Sequence, residues 1–265
     1  MELDPKAWQE DYPAGLLEAF QRGGEQWAIP WFVDPVILYY NTDLFQAVGV
    51  EPPAEGLNWQ TFSEKAAAIS QPDEGVFGAL ILSHNVVLPT LIYQNGGTLY
   101  DDYATFSGPT FNLPANTEAL AWLTGVINNQ HGFPTRAEQI RNFGQSASDL
   151  ERAINQGSIG MWYDAYSQRG GDFTDPARAW PFNWGATALP VGKQAATTAQ
   201  VYVFMVSAKA ADGDAAFGLL EGLSRQRPPS SICRRAIRCT EPSNLPNWAT
   251  SWRLKRAVRR WRANC

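Results

Sequence analysis

Along most of the chain the spacing of apolar positions switches between a period of two and a period near 3.6, and the switches divide it into elements. Ala28 to Val33 and Val36 to Tyr40 are short apolar runs rich in β-branched and aromatic residues, the composition of strands. Asp34-Pro35 stands between them. Proline has no amide proton for a ladder and holds the preceding residue extended, so the two runs are expected to flank a crossing rather than form one uninterrupted central strand. Val76 to Leu82, Ile159 to Tyr163, Trp184 to Leu189 and Val201 to Ser207 read as further strands. Helical spacing predicts Asp11 to Phe20, with Leu16, Leu17 and Phe20 on one face and Gly23-Gly24 as the stop. It also predicts Gln60 to Ser70, with Asn58 as N-cap and Phe62, Ala66 and Ile69 inward, and Val86 to Gln94, closed by Asn95-Gly96-Gly97. Asn116 to Asn129 follows with Leu120, Leu123 and Ile127 inward; then come Asp149 to Gln156, capped by Ser148, and a helix from Asp212 through Leu223. Thr98 to Phe111 reads as an exposed hairpin or loop. Strands alternating with helices predict α/β layers rather than a β-sandwich.

Composition adds scale and two irregularities. At 265 residues and 45% hydrophobic, the chain can bury a sizeable core in one or two domains. It contains no apolar run of about 18 residues, the length that spans a bilayer. The opening MELDPKAWQEDYPAGLLEAF lacks a basic segment followed by an apolar one, so no signal peptide is expected in it. Residues 1–223 carry 10 Lys and Arg against 25 Asp and Glu, a net of −15, whereas residues 224–265 carry 11 against the single Glu241, a net of +10. Cys233, Cys239 and Cys265, all three cysteines, lie in that last stretch. A helical pattern, DAAFGLLEGLSR, is cut off there by Gln226-Arg227-Pro228-Pro229. A shift of reading frame after about residue 224 accounts for the jump, leaving 225–265 as a non-native or disordered basic tail. The alternative is a cationic amphipathic helix over Trp252 to Arg262 acting as a nucleic-acid or membrane adaptor.

Enzyme chemistry finds little to stand on. His84 and His131 are the only histidines, and neither sits in an HExxH or CxxC frame, so no metal site is expected. GxSxG and the phosphate-cradling GxxxxGK[ST] are both absent. Asp101-Asp102, or Asp172 with Asp175, are the carboxylate pairs on which a glycoside hydrolase would have to rest, but adjacent acids in loops are ordinarily solvated. The expectation is a protein that is not an enzyme, with no catalytic residue and no cofactor. Eleven tryptophans serve packing, or present flat faces to the C–H side of sugar rings.

One run of residues carries a family resemblance. Ala28-Ile29-Pro30-Trp31, Asp34, Leu38 to Asn41, Asp43 to Phe45, Gly49, Pro52-Pro53 and Asn58-Trp59 to Phe62 resemble the phrase that, in the sugar-binding extracellular solute-binding proteins of ABC transporters, marks the first passage from the N-terminal into the C-terminal lobe. Maltose-binding protein belongs to that family. Leu91 to Leu99, Leu150 to Tyr166, Trp184 to Lys193 and Val201 to Leu223 resemble its later phrases, so that residues 12–223 are covered. The resemblance implies a two-lobe, type II periplasmic-binding-protein-like α/β fold, largely the C-terminal lobe with a partial N-terminal lobe. Residues 1–35 would be a remnant of the N-terminal lobe with the first hinge crossing, 36–185 the C-terminal lobe and 186–224 the return. Because only about 26 residues precede the crossing, a late gene start, hence a fragment with impaired binding, is expected.

The same resemblance implies a monomer in the periplasm or outside the cell, membrane-associated through its transporter. Its partners would be a carbohydrate ligand, an oligosaccharide by expectation, and ABC permease subunits, with no nucleic acid. Asp34 falls where the family places an acidic ligand contact; read locally it caps a turn before Pro35. Trp31 is a stacking platform or core. His84 and Asn85 follow a strand where the family places contacts from the C-terminal lobe, or form a plain loop. Asp164 and Tyr166 follow the Ile159 to Tyr163 strand, where Ala165-Tyr166-Ser167 replaces the family's Gly-Pro-Trp and Tyr166 is left to supply the aromatic face, with Trp162 in the core. A carbohydrate-active enzyme domain of the glycoside hydrolase type is the alternative.

Overall fold

A computed structural model describes residues 15–22, 25–81, 84–101, 108–129, 131–171 and 179–225. The basic tail, all three cysteines, Asp102, Asp172 and Asp175 lie outside the described residues. The chain divides into two compact units: one comprises residues 34–199, and the other, among the described residues, 15–33 and 200–225.

The larger unit is built on a mixed sheet. Strand β3 (Ile29–Asn41) pairs antiparallel with β5 (Ile159–Ala165) on one side and with β6 (Trp184–Thr187) on the other, and β4 (Phe77–Leu80) joins β5 in parallel, giving the order β4-β5-β3-β6. Strand β7 (Ala199–Phe204) also pairs with β3. Along β3, Val36 and Leu38 point into the main core with Phe45, Phe62, Leu91, Met161 and Tyr163, which belong to the helical layer and to β5. The alternate residues of the central strands, Tyr39 and Trp162, face the other side, where they meet Trp180, Phe182 and Trp184 at ring separations of 4.9 to 6.2 Å.

Strand β3 is continuous through Asp34-Pro35, which corrects the expected break. Its register with β5 ends at Val36 opposite Ala165, and the Val36 amide points the other way, donating to the Thr198 carbonyl at 2.9 Å. The nitrogen of Pro35 therefore faces an edge where the ladder has already ended. No partner is deprived of a donor, and the proline is tolerated.

Helix α1 (Thr42–Ala47) follows directly, capped by Asn41, whose side-chain oxygen accepts from the Asp43 amide at 3.0 Å. Helix α2 (Trp59–Ile69) is capped as expected by Asn58, which accepts from Thr61 at 2.8 Å. It lies against β4 so closely that a Cβ on Gly78 would meet the Ala66 carbonyl oxygen at 1.8 Å, a contact only glycine avoids. Helix α3 (His84–Gln94) ends at Asn95-Gly96-Gly97, with Gly96 in the left-handed region at φ 77°.

Helix α4 (Pro114–Asn129) buries Asn116, Ala119 and Val126, with Leu123 and Ile127 partly buried; Leu120 is not in the core, a shift from the expected face. Trp122 on this helix stacks its indole 4.5 Å from that of Trp59. Two short helices carry reciprocal caps: Thr135 with Glu138 opens α5 (Arg136–Asn142), and Ser146 with Asp149 opens α6 (Ala147–Asn155). The cap of α6 is thus Ser146, two residues before the expected Ser148.

In the smaller unit, β1 (Gln21–Arg22) and β2 (Glu25–Gln26) form a two-stranded ribbon, and α7 (Gly213–Arg225) is the one α-helix among the described residues. The expected helix over Asp11 to Phe20 is, from residue 15 on, a turn and one 3-10 turn at Glu18–Phe20. Gly15 at φ 82° interrupts helical geometry, and of that face only Leu17 is buried, so little packing would support a longer helix. Leu17 and Ile29 form this unit's small core, with Phe217 and Leu220 packed on it.

Candidate functional site

The sheet delivers three of the six expected site residues to one place in the larger unit. Strand β5 ends at Asp164 and Ala165, and the chain turns at once into a 3-10 turn, Tyr166–Gln168. Asp164 stands opposite Ile37 in the β3 register, and its carboxylate accepts from the Ala165 amide at 2.7 Å. Tyr166 is 44% exposed. Asp34, on β3, is 1% exposed, and both its oxygens are taken by Ser167: Oδ1 accepts from the backbone amide at 3.0 Å and Oδ2 from the hydroxyl at 2.5 Å.

Two further residues, neither singled out in the sequence, fasten this turn. The Tyr39 hydroxyl donates to the carbonyls of Ala165 at 3.2 Å and Tyr166 at 3.1 Å. Burial, with the charge of Asp164 next in size, pushes that hydroxyl well above the ordinary phenol range, so it stays a donor. Arg169 donates to the Tyr166 carbonyl at 3.1 Å and sets its guanidinium 4.6 Å from the centre of the Tyr166 ring, a cation–π contact. Tyr39 was visible only as part of an aromatic strand, and Ser167 finds its partner 133 residues away, a separation that no local pattern encodes.

Asp164 is the group whose chemistry is most changed. Burial raises its carboxyl to about 6, with the charges of Glu151 and Asp34 adding to the effect and the Ala165 amide opposing it. The locus thus combines an exposed aromatic face, a cation beside it, and a carboxylate whose charge is costly to bury. Such a set offers hydroxyl acceptors, hydroxyl donors and a flat apolar surface.

The other expected residues stand elsewhere. Trp31 belongs to the smaller unit, half-buried with its ring 5.4 Å from that of Phe204, and Phe32 pairs similarly with Tyr202 at 5.7 Å. His84 and Asn85 open α3, and their side chains lie outside the described residues. In the smaller unit a cavity of about 250 Å3 is lined by Trp27, Ile29, Phe204, Met205, Phe217 and Leu220 among others. Among the described residues no cluster of three or more His, Cys, Asp or Glu is placed to hold a metal, and no helix is long and apolar enough to cross a membrane.

This architecture, a mixed sheet entered by a long strand that runs on between two units, defines an α/β protein of the two-lobe type II periplasmic-binding-protein class. An ABC substrate-binding protein from Listeria monocytogenes in complex with cycloalternan superposes with a TM-score of 0.69 at 23% identity, over 92% of this chain and 62% of that one. A solute-binding protein from Agrobacterium vitis with bound D-mannitol gives 0.59 at 17% identity, over 88% and 59%. The chain belongs to the family of bacterial extracellular solute-binding proteins, whose sequence model matches residues 1–224. It is 22% identical over 229 residues to a mannitol-binding protein of Pseudomonas aeruginosa, covering 76% of this chain and 49% of the relative. The chain therefore spans about half the length of that curated relative.

Proposed function

We propose that this chain is part of the substrate-binding component of an ABC importer, one that captures a polyhydroxylated ligand, a sugar or polyol and by preference an oligosaccharide, and delivers it to permease subunits. The observation that carries this reading is the turn at residues 166–168, which directly follows Asp164 and Ala165 at the end of β5 and presents an exposed Tyr166 ring with the Arg169 guanidinium against it. Family membership supports it, and so do the names of relatives that bind mannitol and cycloalternan.

In this reading residues 36–185 are the C-terminal lobe, 1–35 and 186–224 contribute to the N-terminal lobe, and 225–265 do not take part. Asp164 and Tyr166 supply a carboxylate and a stacking face to the ligand; Trp31, His84 and Asn85 are further candidate contacts, and Asp34, buried against Ser167, supports the Tyr166 turn. Ligand contacts on both lobes bias a hinge toward closure, and no bond is broken. The protein acts as a monomer outside the cytoplasmic membrane. Because half the length of a full relative is not represented, this stretch alone holds ligand more weakly than such relatives do.

Isothermal titration against D-mannitol, ribitol, maltose and a cyclic glucan tests the reading. The expected result is weak but saturable heat with at least one of the four, abolished by Tyr166→Ala. Heat that Tyr166→Ala leaves unchanged, or none with any of the four at millimolar ligand, would overturn it.

A further inference from the structure

We propose that Asp34 is a positioning residue: its buried carboxylate fixes the turn that presents Tyr166, and it acts on the ligand through that ring rather than by touching the ligand. The inference rests on the carbohydrate-binding reading given above.

The turn Tyr166–Gln168 opens without a cap of its own, since no side chain at Ala165 can accept from its first free amides. Asp34, 133 residues earlier in the chain, does so instead. One oxygen receives the Ser167 amide and the other the Ser167 hydroxyl, so the carboxylate grips a single residue at two points. Hydrogen bonds to an ionised acceptor are roughly twice as strong as neutral ones, and a two-point grip fixes direction as well as distance.

Exposure separates the two carboxylate roles. At 1% exposure Asp34 offers a ligand no surface, and a sugar hydroxyl could reach it only by displacing Ser167. Tyr166, the residue just before Ser167, is 44% exposed. The other two fastenings, from Tyr39 and Arg169, both donate to the Tyr166 carbonyl. Asp34 accepts from the Ser167 N–H of that same peptide unit, and the Tyr39 hydroxyl also reaches the Ala165 carbonyl ahead of it, so the backbone is held on both sides of Tyr166. Asp34 stands on β3, two residues from the point where the β5 register begins, and its own backbone is set by the sheet. A contact residue held by a supporting residue on a rigid strand is the arrangement that keeps a binding face oriented.

The test uses the full chain, with Asp34→Ala, Asp34→Asn, Ser167→Ala and Tyr166→Ala, and two readouts: amide hydrogen exchange across residues 164–169 without ligand, and titration with D-mannitol, maltose, ribitol and a cyclic glucan. Asp34→Ala is expected to speed exchange at Ser167 and to weaken binding by roughly tenfold or more. Ser167→Ala should reproduce part of both effects. Asp34→Asn, which keeps one acceptor for the Ser167 amide, should recover most of the exchange protection and of the binding. In a Tyr166→Ala background, Asp34→Ala should add no further loss of affinity. A loss of binding in Asp34→Ala and Asp34→Asn alike, with Ser167 exchange unchanged, would mean direct ligand contact and overturn the proposal; faster exchange with unchanged binding would overturn it equally. If the wild-type chain bound none of D-mannitol, maltose, ribitol and a cyclic glucan, the carbohydrate reading would fail and this proposal with it, an outcome distinguished from the others by appearing before any substitution is made.

Discussion

Trp59 donates its indole hydrogen to the side-chain oxygen of Gln94 at 2.8 Å, in the core and 35 residues apart in sequence. Gln94, fully buried, passes the connection on by donating from its amide to the Ala196 carbonyl at 2.9 Å. Replacing Gln94 by Leu keeps the bulk and leaves a buried donor and a partly buried acceptor without partners. At about 1–3 kcal/mol for each group stranded, the expected cost is roughly 2–4 kcal/mol, measured as a lower urea midpoint at unchanged slope.

Tyr39→Phe removes only an oxygen, but that oxygen satisfies two carbonyls of the turn at the end of β5. The rings of Tyr39 and Trp162, stacked 5.9 Å apart at opposed register positions, would remain. Thermal unfolding should register a loss of about 1–2 kcal/mol.

Asp164 gives stability an unusual pH dependence. An ordinary carboxyl titrates at 3.8, and burial raises this one to about 6 when folded. Between those values the folded chain holds a proton that the unfolded chain has lost, so stability from this group is fully present below about 4 and is lost as pH rises through about 6. Asp164→Asn removes the dependence. Relative to wild type it should gain on the order of 2–3 kcal/mol at pH 7 and little at pH 4, and a parallel offset at both values would contradict the assignment.

The start of α6 distinguishes two serines. Ser146 accepts from the Asp149 amide at 3.2 Å, and Asp149 returns the interaction by accepting from the Ser146 amide at 3.0 Å. Hydrogen bonds from Ser146 draw the Asp149 carboxyl down to about 2. Ser146→Ala should cost about 1 kcal/mol and Ser148→Ala no more than a few tenths, read from thermal melts of the two variants.

That pair also shows where sequence reading stops. Local chemistry was legible: Asn58 before an apolar helix and Asn95-Gly96-Gly97 after another were read from residue types alone, because caps and left-handed turns are settled within a few residues. Ser146 against Ser148 was not, since both precede an acid and only the backbone chooses. The short helices at Thr42–Ala47 and Arg136–Asn142 are too brief for apolar periodicity to appear. Pro35 misled for a different reason. Its cost depends on whether a partner strand needs its missing hydrogen, which is decided by a register with residues some 130 positions away. At the candidate site Asp34, Asp164 and Tyr166 stood out as residue types in a pattern, whereas the Ser167 grip and the Tyr39 hydroxyl exist only once β3 and β5 pair.

Two glycines test the packing of the helical layer on the sheet, with opposite signs. A Cβ on Gly78 would fall 1.8 Å from the Ala66 carbonyl oxygen and 2.4 Å from its carbon, backbone atoms of a fully buried helical residue. They cannot retreat cheaply. Gly78 is tied to the end of α2 through its amide, which donates to the Ser70 hydroxyl at 2.8 Å, and Gly160 on the next strand approaches the Gly78 carbonyl closely enough that its own Cβ would lie at 2.8 Å. Gly78→Ala should therefore cost about 3 kcal/mol or more and separate α2 from β4, since overpacking against backbone has no rotamer to relieve it. Gly125, inside α4, meets nothing within 4 Å and has no positive φ. There the added methyl only restricts the unfolded chain, and Gly125→Ala should stabilise by about 0.5–1 kcal/mol. Melting temperatures that moved in the same direction for both substitutions would contradict this placement of α2 on the sheet.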